Sequence, residues 1–180
     1  MEMQVTSLDS LIESEKGRED VLKEYLLSFR CEVNKDVESF LHNKAIDNEK
    51  RSITRTSLVV DGENNSEIIG FFSLMVKPFH FTNVSGTTRQ KLTGNKKATI
   101  FNTILIAQFG RADFYKGKVD GSLILDIALE HCKLINKLAA IRIVSVEYEE
   151  NEQLSSFYEN NGFKVIQKNE NGLAMSYIRV

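Results

Sequence analysis

The feature that most constrains this chain lies in its second half, where an apolar run, a glycine-containing loop, an amphipathic stretch and a second apolar run follow one another. Thr103 to Phe109 reads as a strand, Gly110 to Gly121 as a loop, Ser122 to Leu138 as a helix, Ile141 to Glu147 as a strand and Glu150 to Asn161 as a helix. Neighbouring strands joined through a helix pair in parallel, and a parallel pair is buried on both faces. The expectation is an α/β fold with a mixed sheet around a central parallel pair. Ile124, Ala128, His131, Ile135 and Leu138 share one face of the long helix, and Lys133 and Lys137 lie near its end, where cations suit the helix dipole. Asn151 can cap the last helix, and Gly162 can close it in a left-handed conformation.

The remaining elements follow from the same periodicities. Val21, Leu22, Tyr25, Leu26 and Phe29 repeat at helical spacing, and Val33, Val37, Phe40, Leu41 and Ala45 do so again, so two N-terminal helices meet at Arg30 to Val33, with Asn34 placed to cap the second. Ser57 to Val60 and Glu67 to Val76 form a hairpin about Asp61-Gly62-Glu63-Asn64-Asn65. Lys77 to Lys97, with Pro78, Gly86 and Gly94, is too long and weakly patterned for a simple connection, and some of it is expected to be mobile. Phe163 to Gln167 and Ala174 to Ile178 form a C-terminal hairpin around Asn169-Glu170-Asn171-Gly172. No repeat or low-complexity tract interrupts residues 1–180, so one domain is expected.

Composition removes several classes of function. The longest stretch without a charged residue, Ala98 to Gly110, is too short to span a bilayer, and the acidic first twenty residues lack the basic start of a secretory signal, so a cytoplasmic protein with no membrane partner is expected. Cys31 and Cys132 form no cluster, and three scattered histidines (His42, His80, His131) offer no metal set. The net charge of -2 hides an asymmetry: Ile68 to Ala112 contains no acid and carries +6 from Lys77, Arg89, Lys91, Lys96, Lys97 and Arg111, leaving -8 for the rest. Such a segment is either a solvated loop or a surface for a polyanion.

The loop Tyr115-Lys116-Gly117-Lys118-Val119-Asp120-Gly121-Ser122 follows an apolar strand and opens a helix, where unpaired backbone N–H groups hold phosphate. Downstream stands Phe157-Tyr158-Glu159-Asn160-Asn161-Gly162-Phe163. At these residues the chain resembles the GNAT superfamily of acetyl-CoA-dependent N-acetyltransferases. In that family a Gln/Arg-x-x-Gly-x-Gly/Ala loop binds the CoA pyrophosphate, and a Phe-Tyr-x-x-x-Gly-Phe motif closes the site. The loop maps onto Lys116 to Gly121, and Phe157, Tyr158, Gly162 and Phe163 match the second motif residue for residue. The resemblance covers roughly residues 55 to 178. Upstream, Phe29-Arg30-Cys31-Glu32-Val33-Asn34, Val37, Phe40-Leu41, Ala45 and Gly70-Phe71-Phe72-Ser73-Leu74 are similar to the GNAT toxins that acetylate the amino group of aminoacyl-tRNA.

The resemblance implies a GNAT-like mixed sheet with a splayed central parallel strand pair, N-terminal helices and a C-terminal hairpin. It implies acetyl-CoA as co-substrate, held by Phe109, Gly110, Arg111, Lys116, Gly117, Lys118, Val119, Asp120, Gly121, Ser122 and Asn151. Tyr158 would protonate the leaving thiolate, because a phenol with a pKa of about 10 stays protonated at neutral pH. Glu147, with Glu149 behind it, would take the proton of the attacking amine, unless water does so without a dedicated base. Val119 and Asp120 depart from the loop pattern. A β-branched residue forced left-handed costs about 1 to 2 kcal/mol, so the loop is expected either to be reshaped or to bind its ligand weakly. The acceptor is a primary amine: charged tRNA on the toxin-like branch, which also implies an antitoxin partner and is compatible with a homodimer, or alternatively a small molecule or peptide. A non-catalytic GNAT-like binding module and a nucleic-acid-binding domain using Phe79, His80 and Phe81 are the other readings.

Overall fold

The computed structural model describes residues 2 to 180. In chain order the elements are β1 (Met3–Ser7), α1 (Leu8–Ser14), α2 (Glu19–Leu27), α3 (Lys35–Asn43), α4 (Ala45–Lys50), β2 (Arg55–Asp61), β3 (Glu67–His80), α5 (Gly86–Thr93), β4 (Ile100–Arg111), a 3-10 turn (Asp113–Tyr115), α6 (Gly121–Ala139), β5 (Ile143–Tyr148), α7 (Glu152–Asn160), β6 (Lys164–Lys168) and β7 (Ala174–Arg179). They gather into two compact units, one of residues up to Met75 with Ala107–Ala128, the other of Val76–Ile106 with Leu129–Val180.

In the first unit β1 pairs antiparallel with β2, and β2 with β3, from Met3↔Asp61 to Arg55↔Leu74, and β4 follows β3 in strand order. The hairpin is longer than its apolar core suggested. β1 and α1 were not expected: β1 is a five-residue edge strand with only Met3 and the exposed Val5 as large apolar residues, too short a pattern to read. Asn34 caps α3 as expected, accepting the Val37 N–H at 3.2 Å, but the second helix breaks at Lys44 into α3 and α4. The core is aromatic. Phe29 meets Phe71 edge-on with centroids 5.2 Å apart, and Phe40 stacks on Phe71 at 6.3 Å. Each such buried ring contributes about 1.5 to 3 kcal/mol through burial. Gly70 and Gly110 let the layers close. A Cβ on Gly70 would lie 2.6 Å from the Gly110 carbonyl oxygen and from Ile124 Cδ1, and one on Gly110 would lie 2.5 Å from Val37 Cγ1.

In the second unit β4 and β5 are parallel through Ile104↔Val144 and Leu105↔Ser145. The paired register ends there although both strands continue, the splayed parallel pair that the resemblance implies. On its other edge β5 pairs antiparallel with β7 over its whole length, and β7 pairs with β6. Thr103 and Ser145 join their buried hydroxyls at 2.5 Å across the parallel pair.

The segment from Lys77 to Lys97 carries regular structure. β3 runs on to His80, and α5 is capped by Ser85, which accepts the Thr88 N–H, and closed by Gly94 at φ +79°. Phe81 stacks on Phe101 at 4.4 Å, with Arg89 over its ring. The expected apolar face of α6 is displaced: Leu138 is exposed, and Ile124, Leu125, Ala128 and Cys132 are the buried residues. Among the described residues no helix is long and apolar enough to cross a membrane.

Candidate active site

The strand–loop–helix segment of the first unit is built from β4 outward. Gly110 is buried, Ala112 N–H donates to the Ile69 carbonyl at 2.8 Å, and Asp113 N–H donates to the Arg30 carbonyl at 2.9 Å, which fixes where the loop departs. Tyr115 is buried beneath it. Its hydroxyl donates to Glu67 at 2.9 Å, and burial, reinforced by that carboxylate, pushes the phenol up to about 12. Lys118 and Val119 both donate their N–H to the Tyr115 carbonyl, and Arg111 donates to the Val119 carbonyl at 2.6 Å.

Val119 is not left-handed. The positive φ of the loop falls on Gly117 at +79°, and Val119 turns inward at 2% exposure, a buried side chain where the pattern of the resembled family has glycine. Asp120 precedes α6 and accepts the Ser122 N–H at 2.9 Å, which holds its carboxyl below the usual range. Of the loop amides, those of Lys116, Lys118, Val119, Ser122 and Leu123 are donated within the protein. Among the described residues no acceptor meets those of Gly117, Asp120 and Gly121. Lys116 and Lys118 are exposed beside them, Lys118 with its ammonium 3.3 Å from the centre of the Phe114 ring. Three amides and two lysines suit a pyrophosphate, and the Asp120 carboxylate counts against it.

Tyr158 lies in the second unit on α7, which Asn151 caps by accepting the Leu154 N–H at 2.9 Å. Its ring is packed among Tyr148, Phe157 and Phe163 at 4.9, 5.2 and 5.5 Å. At 7% exposure, burial pushes the phenol up, and Tyr148 adds to the shift. Gly162 is left-handed at φ +83°, as the spacing required.

Glu147 is placed differently from Tyr158. Tyr148 turns toward α7 and side chains alternate along a strand, so Glu147 belongs to the opposite face of β5. There its carboxylate accepts from Lys77 at 3.0 Å, from Asn169 at 2.7 Å and from Asn171 at 3.3 Å, at 11% exposure. Three donors thus engage the two oxygens, two on Oε1 and one on Oε2. Glu149 is exposed.

Three of the six cations of the acid-free segment are engaged internally. Lys77 pairs with Glu147, Arg89 donates to the Val84 and Ala98 carbonyls, and Arg111 holds the loop, while Lys91, Lys96 and Lys97 are exposed. Phe79 and Phe101 are buried, with centroids 6.2 Å apart, so this aromatic group anchors its own segment. The charge also divides by unit: the first carries a net -6 and the second +4. Neither the partners of Glu147 nor the contact of Tyr148 with Tyr158 is foreshadowed by the sequence. Lys77 and Glu147 are seventy residues apart in the chain, and no local pattern joins them.

No protein-family model matches the chain, and no curated protein matches it in sequence. Solved structures do. AtaT complexed with acetyl-methionyl-tRNAfMet is similar with a TM-score of 0.75 over 99% of this chain and 95% of that one, at 15% identity. A KacT mutant reaches 0.73 over 99% and 95%, at 16% identity. An AtaT mutant toxin bound to the C-terminus of the antitoxin AtaR and acetyl-CoA reaches 0.69 over 99% and 94%, at 15% identity. In both mutants a tyrosine is replaced by phenylalanine. The chain has the GNAT fold of these proteins.

Proposed function

We propose that this protein is an acetyl-CoA-dependent N-acetyltransferase whose acceptor is the amino group of an aminoacyl-tRNA. The observation that carries the reading is Tyr158, a buried phenol on α7 packed among Tyr148, Phe157 and Phe163 and followed by Gly162 and Phe163 as in the resembled motif. In the reaction the amine nitrogen attacks the thioester carbonyl carbon and the C–S bond breaks. Tyr158 gives its proton to the departing sulfur and recovers one from solvent. The Lys116 to Ser122 loop holds the pyrophosphate, with the Gly117, Asp120 and Gly121 amides as donors and Arg111 keeping the loop in shape. Phe109 and Gly110 line the pantetheine path, and Asn151 fixes the start of α7.

The acceptor's proton passes to water. Glu147 acts by holding Lys77 and the β6–β7 turn in place, with its carboxylate committed to their donors. The tRNA acceptor is favoured by the positive charge of the second unit and by the likeness to AtaT, a protein seen with acetyl-methionyl-tRNAfMet. On the same reading an antitoxin protein covers the enzyme, as AtaR binds AtaT, and both act in the cytoplasm.

The test is intact-mass and thiol-release analysis after incubation with acetyl-CoA and separate pools of small amines, peptides and aminoacyl-tRNA. Acetyl transfer to the tRNA pool alone supports the reading. Transfer to another pool replaces the acceptor, and thermal stability unchanged by millimolar acetyl-CoA or CoA removes the enzyme.

A further inference from the structure

The donor on α7 has an unusual support. Tyr158 is the one buried side chain of this nine-residue helix, so the contact that docks the helix is also the contact that places the phenol. Two rings from outside the helix receive it, Phe163 at 5.5 Å and Tyr148 at 4.9 Å with its plane tilted by 35°. Phe163 follows the left-handed Gly162 that ends the helix. Tyr148 is held from the sheet. It is the last residue of β5, paired with Ala174 of β7, and its hydroxyl is hydrogen-bonded to Ser176 Oγ at 2.9 Å in the buried sheet.

A phenylalanine would fill the same space at position 148. The hydroxyl adds a direction, because a ring bonded at its far end to a strand can neither slide nor rock. Ser176 supplies that bond from a strand paired on both edges, with Val146 on β5 and Val165 on β6. We infer that Tyr148 is a positioning residue for the proton donor, its hydroxyl bond to Ser176 fixing the surface against which the Tyr158 ring is set. The inference rests on the acetyltransferase reading. Catalysis needs the phenol within hydrogen-bond reach of the departing sulfur, and a small displacement of a proton donor lowers turnover without changing ligand affinity.

The experiment is a double-mutant cycle read as thiol release from acetyl-CoA, with aminoacyl-tRNA as acceptor. Tyr148→Phe and Ser176→Ala should each lower kcat by about 5- to 10-fold, with KM for acetyl-CoA within about twofold, and the double variant should be no worse than either single one. In a Tyr158→Phe background both changes should leave the residual rate unaltered, because no donor remains to be placed. A structural role would lower the rate equally in both backgrounds, and that result, or an unchanged kcat for Tyr148→Phe, overturns the inference while leaving the acetyltransferase reading intact. Full activity in Tyr158→Phe alone overturns the donor and its positioning together. Tyr148→Leu, which removes the ring itself, provides the second measurement: acetyl-CoA should still raise its melting temperature while kcat falls further than in Tyr148→Phe. A Tyr148→Leu variant as active as Tyr148→Phe also counts against the inference.

Discussion

Arg111 at the end of β4 donates to the Val119 carbonyl at 2.6 Å, so a strand that begins in one unit and ends in the other holds the inner wall of the Lys116–Ser122 loop. A charge-assisted hydrogen bond of this kind is worth about 1.5 to 3 kcal/mol. Arg111→Ala should therefore weaken acetyl-CoA binding about tenfold in titration calorimetry, with Arg111→Lys falling between Arg111→Ala and the native protein. Native affinity in Arg111→Ala would mean that the loop keeps its shape without this bond.

Val119 is a core residue standing where the family pattern has glycine. Val119→Gly should cost about 1 to 3 kcal/mol of stability, read as a lowered denaturant midpoint, because it removes a buried side chain and frees the backbone. It should not improve acetyl-CoA binding, since the left-handed turn is already made at Gly117.

Local chemistry was legible wherever neighbours in sequence are neighbours in space. Asn34, Asn151 and Gly162 perform the capping roles their spacing announced, and the strand–helix–strand alternation led to the parallel pair. Ser85 and Gly94 were equally legible as helix ends, but the single buried residue of α5, Leu92, left no apolar period to connect them. What the sequence could not show is the fate of the carboxylate at Glu147. Its partners come from β3 and from the β6–β7 turn, and only the folded sheet brings them together. The outcome at Val119 was half legible: the substitution announced a reshaped loop, but whether its side chain would face solvent or core depended on Tyr115 beneath it.

Asp120 accepts the Ser122 N–H at the start of α6, and its charge would oppose the anion proposed for this loop. Its carboxyl titrates below the usual value in the folded protein, so its contribution is in place above a pH of about 4 and fades as pH falls through the folded-state value. The melting-temperature difference between the native protein and Asp120→Asn should thus be constant from about pH 5 to 8 and shrink below about pH 4. At neutral pH the variant should bind CoA more tightly, and the gain should diminish as salt is added. A gain independent of salt would argue against a charge effect.

Tyr158→Phe keeps the ring packing and deletes the proton. Turnover should fall by about 10²-fold while acetyl-CoA binding stays within about twofold. Because burial raises the phenol above its ordinary value near 10, Tyr158 should remain a donor throughout the neutral and mildly alkaline range, and its ionisation should impose no alkaline limb on kcat below about pH 10. A limb near pH 8 that vanished in Tyr158→Phe would place the phenol in a more solvated setting.

The acceptor can be tested through charge alone. Neutralising every cation of the acid-free segment would confuse binding with folding, since Arg89 ties Val84 to Ala98 and Lys77 is committed to Glu147. Lys91, Lys96 and Lys97 are exposed, so their ammonium groups can be removed without disturbing the core. If tRNA is the acceptor, replacing these three by Ala should weaken its binding and lower the slope of log K against log salt by about 2 to 3, because every phosphate that a lysine ceases to neutralise keeps roughly 0.7 to 0.9 counterions in place. Acetyl-CoA affinity should hardly change, for the lysines proposed to meet its phosphates are Lys116 and Lys118. With a small amine or a peptide as acceptor, the same three changes should leave turnover within a few-fold. Binding of aminoacyl-tRNA that kept its salt slope in the triple variant would show that the RNA lies elsewhere on this positive unit, with Lys133, Lys137 and Lys164 as the cations to replace next.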